Sequence, residues 1–228
     1  MEKSQYELCI EVLRRLDRAG ILKHVVLVGS WCTLLYKDYF ASGTYRPALR
    51  TRDIDLLIPK PWAVKSKSDV SELLRDLGFV VGFSGAQGYI RLEHPQLIVE
   101  FLVPERGRPY NKPYPLPSLG VNAQALRFLD FLAEDAITSK LEEVTITLPH
   151  PVRFALHKLL VLNRRPTPAK QAKDREAAIS ILTKLRNEGR QNSVQSVFRA
   201  LPRRWQTAIE KQLRESLDGE VIEVLRGT

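Results

Sequence analysis

The segment Asp53-Ile54-Asp55-Leu56-Leu57-Ile58, stopped by Pro59 and Pro61, constrains the fold more than any other stretch of the chain. Its proline boundary and short apolar run make it a strand. Side chains alternate along a strand, so Asp53 and Asp55 leave by one face while Ile54 enters the core by the other. Two carboxylates then stand side by side where apolar residues are expected, and they repel unless a cation joins them. Either the pair is solvated on an exposed sheet edge, where charge blunts aggregation, or it holds divalent metal. Two such ions about 3.5 to 4 Å apart clamp the attacking and leaving oxygens of a phosphoryl or nucleotidyl transfer.

The residues around this strand predict an α/β region. Leu8, Val12, Leu13, Leu16 and Ala19 recur at helical spacing ahead of Gly20, which suits a C-cap. His24-Val25-Val26-Leu27-Val28 is a β-branched run ending at Gly29-Ser30, and the apolar and aromatic residues from Trp31 to Phe40 predict a helix capped by Ser30. A Gly- and Pro-containing loop over residues 41–50 leads into the Asp53 strand. Lys65 to Leu77 reads as a helix closed by Gly78, and Phe79–Phe83, Tyr89–Glu93 and Leu97–Val103 read as strands, the last two a hairpin. A Pro-, Tyr- and Arg-rich connection, Pro104 to Leu119, precedes further strands at Leu126–Leu132 and Val144–Leu148.

Beyond Pro149 the periodicity is helical in Pro151–Leu162, Lys173–Arg186, Ser193–Leu201 and Trp205–Leu217. Two domains are therefore expected, an α/β domain over 1–149 and a helical one over 150–228. Trp31, Trp62 and Trp205 are expected in the core or on domain seams.

Cys9 and Cys32 are too few for a disulfide framework and fall in amphipathic stretches, where a thiol acts as a small hydrophobe. The four histidines are scattered without zinc-ligand spacing, so any metal must be held by oxygen. No secretory segment opens the sequence and no stretch approaches the ~18 to 20 apolar residues of a membrane span. A cytoplasmic protein without a membrane partner is expected. Thirty-five Lys and Arg against twenty-six Asp and Glu leave +9, which draws in polyanions such as nucleotides or nucleic acid.

Glu100 interrupts the apolar strand Ile98-Val99-Glu100-Phe101-Leu102-Val103. If that strand neighbours Asp53 and Asp55, Glu100 supplies a third oxygen ligand. Glu93 competes for the role but adjoins a His-Pro turn and reads as solvated. Gly29-Ser30, between a buried strand and a helix start, either caps the helix or binds phosphate through free backbone N–H groups. Lys158 by itself reads as a lysine snorkelling from an amphipathic helix.

In order and strand context, Gly29-Ser30, an aromatic-rich helix, Asp53-Ile54-Asp55 and a later Glu100 resemble the nucleotidyltransferase superfamily of DNA polymerase β type. The resemblance implies a mixed sheet flanked by helices and followed by a helical C-terminal region. It also implies Mg²⁺-dependent transfer of a nucleoside monophosphate from an NTP such as ATP to an acceptor hydroxyl, with release of pyrophosphate. Gly29 and Ser30 would hold the triphosphate, Asp53 and Asp55 would bind two Mg²⁺ ions, and Glu100 would complete the ligands and help activate the acceptor.

The run from Pro149 through His157-Lys158-Leu159, followed by Lys173-Asp174-Arg175, is similar to stand-alone bacterial nucleotidyltransferases related to AbiEii-type toxins. That likeness implies a triphosphate contact for Lys158, an orienting role for Asp174 and a toxin-antitoxin-like setting. Ala177 and Ala178 stand where a second acid would follow Asp174. Acceptors in the superfamily include tRNA ends, protein hydroxyls and small molecules such as aminoglycosides. Arg164, Arg165, Lys170, Lys173 and Arg175 around Asp174 lean towards RNA or an acidic protein. The alternative is a module of the same fold that binds nucleotide and catalyses nothing.

Overall fold

The computed structural model describes residues 3–40, 51–108, 112–215 and 219–226; the loop expected over 41–50 lies outside them. The described residues up to Tyr39 and from Thr51 to Pro149 form one compact unit. Phe40 and the described residues from His150 onward form another. Among the described residues no helix is long and apolar enough to cross a membrane.

The first unit is a mixed sheet of β1 (Val26–Val28), β2 (Asp53–Leu57), β3 (Val80–Ser84), β4 (Tyr89–Glu93), β5 (Ile98–Pro104), β6 (Tyr114–Leu116) and β7 (Val121–Leu126). The spatial order is β1-β2-β5-β4-β3, with β7 also on β5 and β6 on β7. The pairs β2–β5 and β5–β7 are parallel; the others are antiparallel. The sheet forks along β5, whose Ile98–Glu100 half pairs with β4 and whose Leu102–Pro104 half pairs with β7. Alternation in β2 and β5 buries Ile54, Leu56, Val99 and Phe101 on one face. The opposite face is divided. At one end Val26, Val28, Leu57 and Leu102 pack with Leu129 and Leu132 of α4 (Leu129–Ala133), and at the other stand Asp53, Asp55 and Glu100.

Helix α1 (Lys3–Arg18) packs on α3 (Val70–Leu74) and on β9 (Val144–Leu148), which forms a separate hairpin with β8 (Ile137–Leu141). In the second unit α5 (Pro151–Val161) is buried on most sides, against α6 (Pro168–Asn187), α7 (Gln191–Ala200) and α8 (Arg203–Glu215). A last helix, α9 (Gly219–Arg226), packs on α6, α7 and α8.

Several local expectations are corrected. The helix expected over Trp31–Phe40 is α2 (Trp31–Leu35) followed by a 3₁₀ turn, Tyr36–Asp38. Aromatic residues are weak helix formers, and Tyr36 is buried with its hydroxyl donating to the Pro149 carbonyl at 2.9 Å, so tertiary burial sets the path. Helix α3 begins at Val70 rather than Lys65, because the Asp69 carboxylate accepts from the backbone N–H groups of Ser71 and Glu72 and caps it there. No strand covers Leu126–Leu132: Phe128 turns left-handed at φ 69° and α4 begins. Strand β8 escapes notice because its turn is Glu142-Glu143, with Glu142 at φ 53° and no glycine or asparagine to mark it. Trp62 is 59% exposed instead of buried.

Ile54 is wholly buried directly behind the acidic face. Ile54→Ala should destabilise the protein by about 3 kcal/mol through lost burial and the cavity it leaves. Urea denaturation checks this, and a change under ~1 kcal/mol would mean that the core behind the acids collapses freely.

Candidate active site

Registers across four strands put Val28, Asp55, Glu100 and Arg91 in one row, each opposite the next on β1, β2, β5 and β4. Directly paired residues project to the same face, so Asp55 and Glu100 are neighbours and Asp53 stands one pleat away on β2. Thr51 steadies Asp53: its hydroxyl donates to Asp53 Oδ2 at 3.3 Å and accepts the Asp53 backbone N–H at 3.2 Å. The Asp53 side chain is 45% exposed, whereas Glu100 keeps 27%. Arg91 closes the row, with Nε 2.6 Å from Glu100 Oε1 and an Nη 3.7 Å from Asp53 Oδ1.

Gly29 follows β1 with φ +76°, a backbone region that glycine enters without strain. A Cβ there would sit 2.1 Å from Asp55 Oδ2, so only a bare backbone admits the carboxylate. Ser30 has helical dihedrals at the head of α2 and makes no side-chain cap, which corrects the expectation that it caps the helix. Thr33 bonds back to the Ser30 carbonyl instead, through its hydroxyl at 2.6 Å and its amide at 3.2 Å.

All the carboxyl groups gathered here are hard oxygen donors of the kind that suit Mg²⁺. The space that Gly29 yields lets the Asp55 carboxylate lie against the bare backbone at the end of β1. On these grounds the residues fit a divalent cation. Among the described residues, however, no three His, Cys, Asp or Glu side chains converge as a ready-made cage. Arg91, rather than a third carboxylate, closes on Glu100.

Lys158 and Asp174 belong to the helical unit and join each other. Lys158 is only 4% exposed and its ammonium donates to Asp174 Oδ1, so it is no snorkelling lysine. Arg165 donates to Asp174 Oδ2, and Lys158 Nζ also lies 4.9 Å from the Phe154 ring centroid. Burial alone would raise the Asp174 carboxyl, but Lys158 and Arg165 hold it below its ordinary value. His157 is buried beside them with no hydrogen-bond partner at Nε2. Burial, with Lys158 and Arg165 adding to it, lowers His157 to about 3.

Sequence reasoning overlooked Arg91 and His157, and it placed Arg165 in the basic cluster around Asp174 without pairing it to that carboxylate. The alternation Tyr89-Ile90-Arg91-Leu92-Glu93, combined with the β4–β5 hairpin register, is the signal that would have put Arg91 beside Glu100. Burial of His157 and closure of Arg165 on Asp174 depend on how α5 and α6 pack, which periodicity does not reveal.

A mixed sheet with carboxylates on one face, joined in the same chain to a helical unit, is an architecture used by enzymes that transfer nucleotidyl groups. Residues 7–202 match the family model described as Nucleotidyltransferase, and the chain belongs to that family. Among solved structures, an antigenic nucleotidyltransferase-like protein from Paracoccidioides brasiliensis has the same fold at 16% identity and a TM-score of 0.51, covering 99% of this chain and 94% of that one. ANT(2'')-Ia in complex with adenylyl-2''-tobramycin matches at 12% identity and a TM-score of 0.45, over 86% of this chain and 99% of that one. No curated protein matches the chain.

His157 gives the helical unit a pH signature. Its folded value of about 3 lies below the 6.5 of an unperturbed imidazole, so in acid the unfolded chain takes up a proton that the folded one refuses. This contribution is fully present above pH 6.5 and is lost as pH falls towards 3. Asp174, whose lowered value favours folding above the ordinary carboxylate range, adds its loss only at more acid pH. Urea titrations at pH 7.5 and pH 5 should differ by about 2 kcal/mol from His157. His157→Leu should remove that difference, and an unchanged slope in the variant would refute the assignment.

Proposed function

We propose that the protein transfers a nucleoside monophosphate from an NTP to an acceptor hydroxyl, with Mg²⁺ and with release of pyrophosphate. The observation that carries this is the parallel register that sets Asp55 against Glu100, with Asp53 on the same face. Asp53, Asp55 and Glu100 would hold the metal, which supplies charge neutralisation at the phosphates and lowers the pKa of the attacking hydroxyl. Gly29 keeps side-chain bulk away from Asp55 so that the triphosphate can approach main-chain N–H groups. The Ser30 hydroxyl, not used as a cap, is assigned to the same phosphates. Asp174 fixes the Lys158 ammonium in place through a hydrogen bond, and a lysine so oriented is suited to serve phosphate. The likeness of these two segments to AbiEii-related enzymes supports that assignment.

For the acceptor, charge distribution supports RNA. Residues 150–228 contain sixteen Lys and Arg against eight Asp and Glu, so +8 of the net +9 resides there. The first turns of α5, α6, α7 and α8 contain no acid, so no carboxylate there offsets the positive ends of their dipoles. A polyanion suits this surface and a polycationic small molecule does not.

Calorimetric titration of ATP, CTP, GTP and UTP in Mg²⁺ tests the assignment. Asp53→Asn with Asp55→Asn should weaken binding of the preferred nucleotide at least ~10-fold and abolish transfer while the fold is kept. Full activity in the double variant would refute the mechanism.

A further inference from the structure

Arg91 has no part in the transfer as described, yet it occupies the fourth place in the row that contains Asp55 and Glu100. Its guanidinium spans two of the three acids, at 2.6 Å from Glu100 and 3.7 Å from Asp53. Contact with Glu100 is close but poorly directed: Nε is buried and its N–H does not point along a hydrogen bond to any acceptor. Charge, more than directional bonding, therefore holds the pair. On the side of β4 away from Glu100 the residue paired with Arg91 is Gly82, which has no side chain, and the Glu93 carboxyl lies over it. A Cβ on Gly82 would meet that carboxyl at 2.6 to 3.0 Å. Arg91 is thus flanked by acid on both sides of its strand.

Two cations cannot both neutralise one small cluster of carboxylates without repelling each other. We propose that Arg91 is an internal countercharge that stands in for the divalent cation: it holds Glu100 and Asp53 together in the metal-free protein and releases Glu100, turning towards Glu93, when metal is held. This rests on the metal-dependent reading above and goes beyond it, because it makes affinity for metal a property of a basic side chain that is not a ligand. Arg91 acts here as a positioning residue. By reciprocity, whatever the guanidinium contributes to keeping the empty acids in place is subtracted from affinity for metal.

Titration of Mn²⁺ into the full chain, followed by the paramagnetic signal of the free ion, tests the proposal without any measurement of turnover. Arg91→Gln should bind Mn²⁺ about 10-fold more tightly than wild type. It should also melt at lower temperature in chelator, with the deficit closing in saturating Mn²⁺. Arg91→Lys, which retains the charge, should stay near wild type. Equal or weaker Mn²⁺ binding by Arg91→Gln, beside a wild type that does bind, overturns this proposal alone. Absence of Mn²⁺ binding by every form, with and without ATP, overturns the metal-dependent reading and this proposal together. Should the Gln variant fail to fold, the wild-type Arg91 Nε–H resonance, identified by its loss in Arg91→Lys, carries the test. It should shift when Mg²⁺ is added, and an unmoved resonance overturns the proposal.

Discussion

The parallel pairing of β2 with β5 is the constraint on which the acidic site depends. Hydrogen bonds between these strands set Asp55 against Glu100, and alternation then determines what every neighbouring position must be. A slip of one residue in either strand would send its acids into the core that Ile54 and Val99 occupy. Register here is enforced by burial. Two wholly apolar layers, one behind the acids and one beside them under α4, penalise every alternative.

Burial of charge is resolved differently in the two units. On the sheet, carboxylates lie at the edge of an apolar patch, half-open to water and accompanied by the Arg91 guanidinium. In the helical unit Lys158 and Asp174 are almost fully withdrawn from solvent, and Arg165 supplies a second cation to the same carboxylate. A buried carboxylate between two cations costs desolvation energy that geometry must recover, so such a triad specifies an arrangement more than it stabilises one. Burial first, and then the Lys158 and Arg165 charges, keep His157 beside it neutral, whereas for Asp174 the same two cations outweigh burial and keep it charged.

Much of this was legible in the sequence. Asp53-Ile54-Asp55 declared its own face by alternation, and the helices after Pro149 declared themselves by period. The strand containing Glu100 was evident, although its place beside β2 had to be assumed. What stayed hidden depended on context. The Glu142-Glu143 turn contains none of the usual turn residues, Phe128 adopts a left-handed conformation that no aromatic residue advertises, and the aromatics after Trp31 look helical until burial bends the path. Arg91 was missed because one arginine on an amphipathic strand looks like solvated surface until the hairpin register aligns it with Glu100.

The uneven distribution of charge has a consequence for how the molecule behaves before any chemistry begins. The region up to Pro149 is close to neutral, with nineteen basic and eighteen acidic residues, so long-range attraction to a polyanion originates almost wholly in the helices. Capture of such a partner would release condensed counterions in proportion to the phosphates engaged, and the logarithm of its affinity would fall linearly with the logarithm of salt concentration. The α/β unit, with its nearly balanced charges, would add little long-range attraction of its own. First encounter and the selection of a nucleotide would thus answer to different variables in one polypeptide.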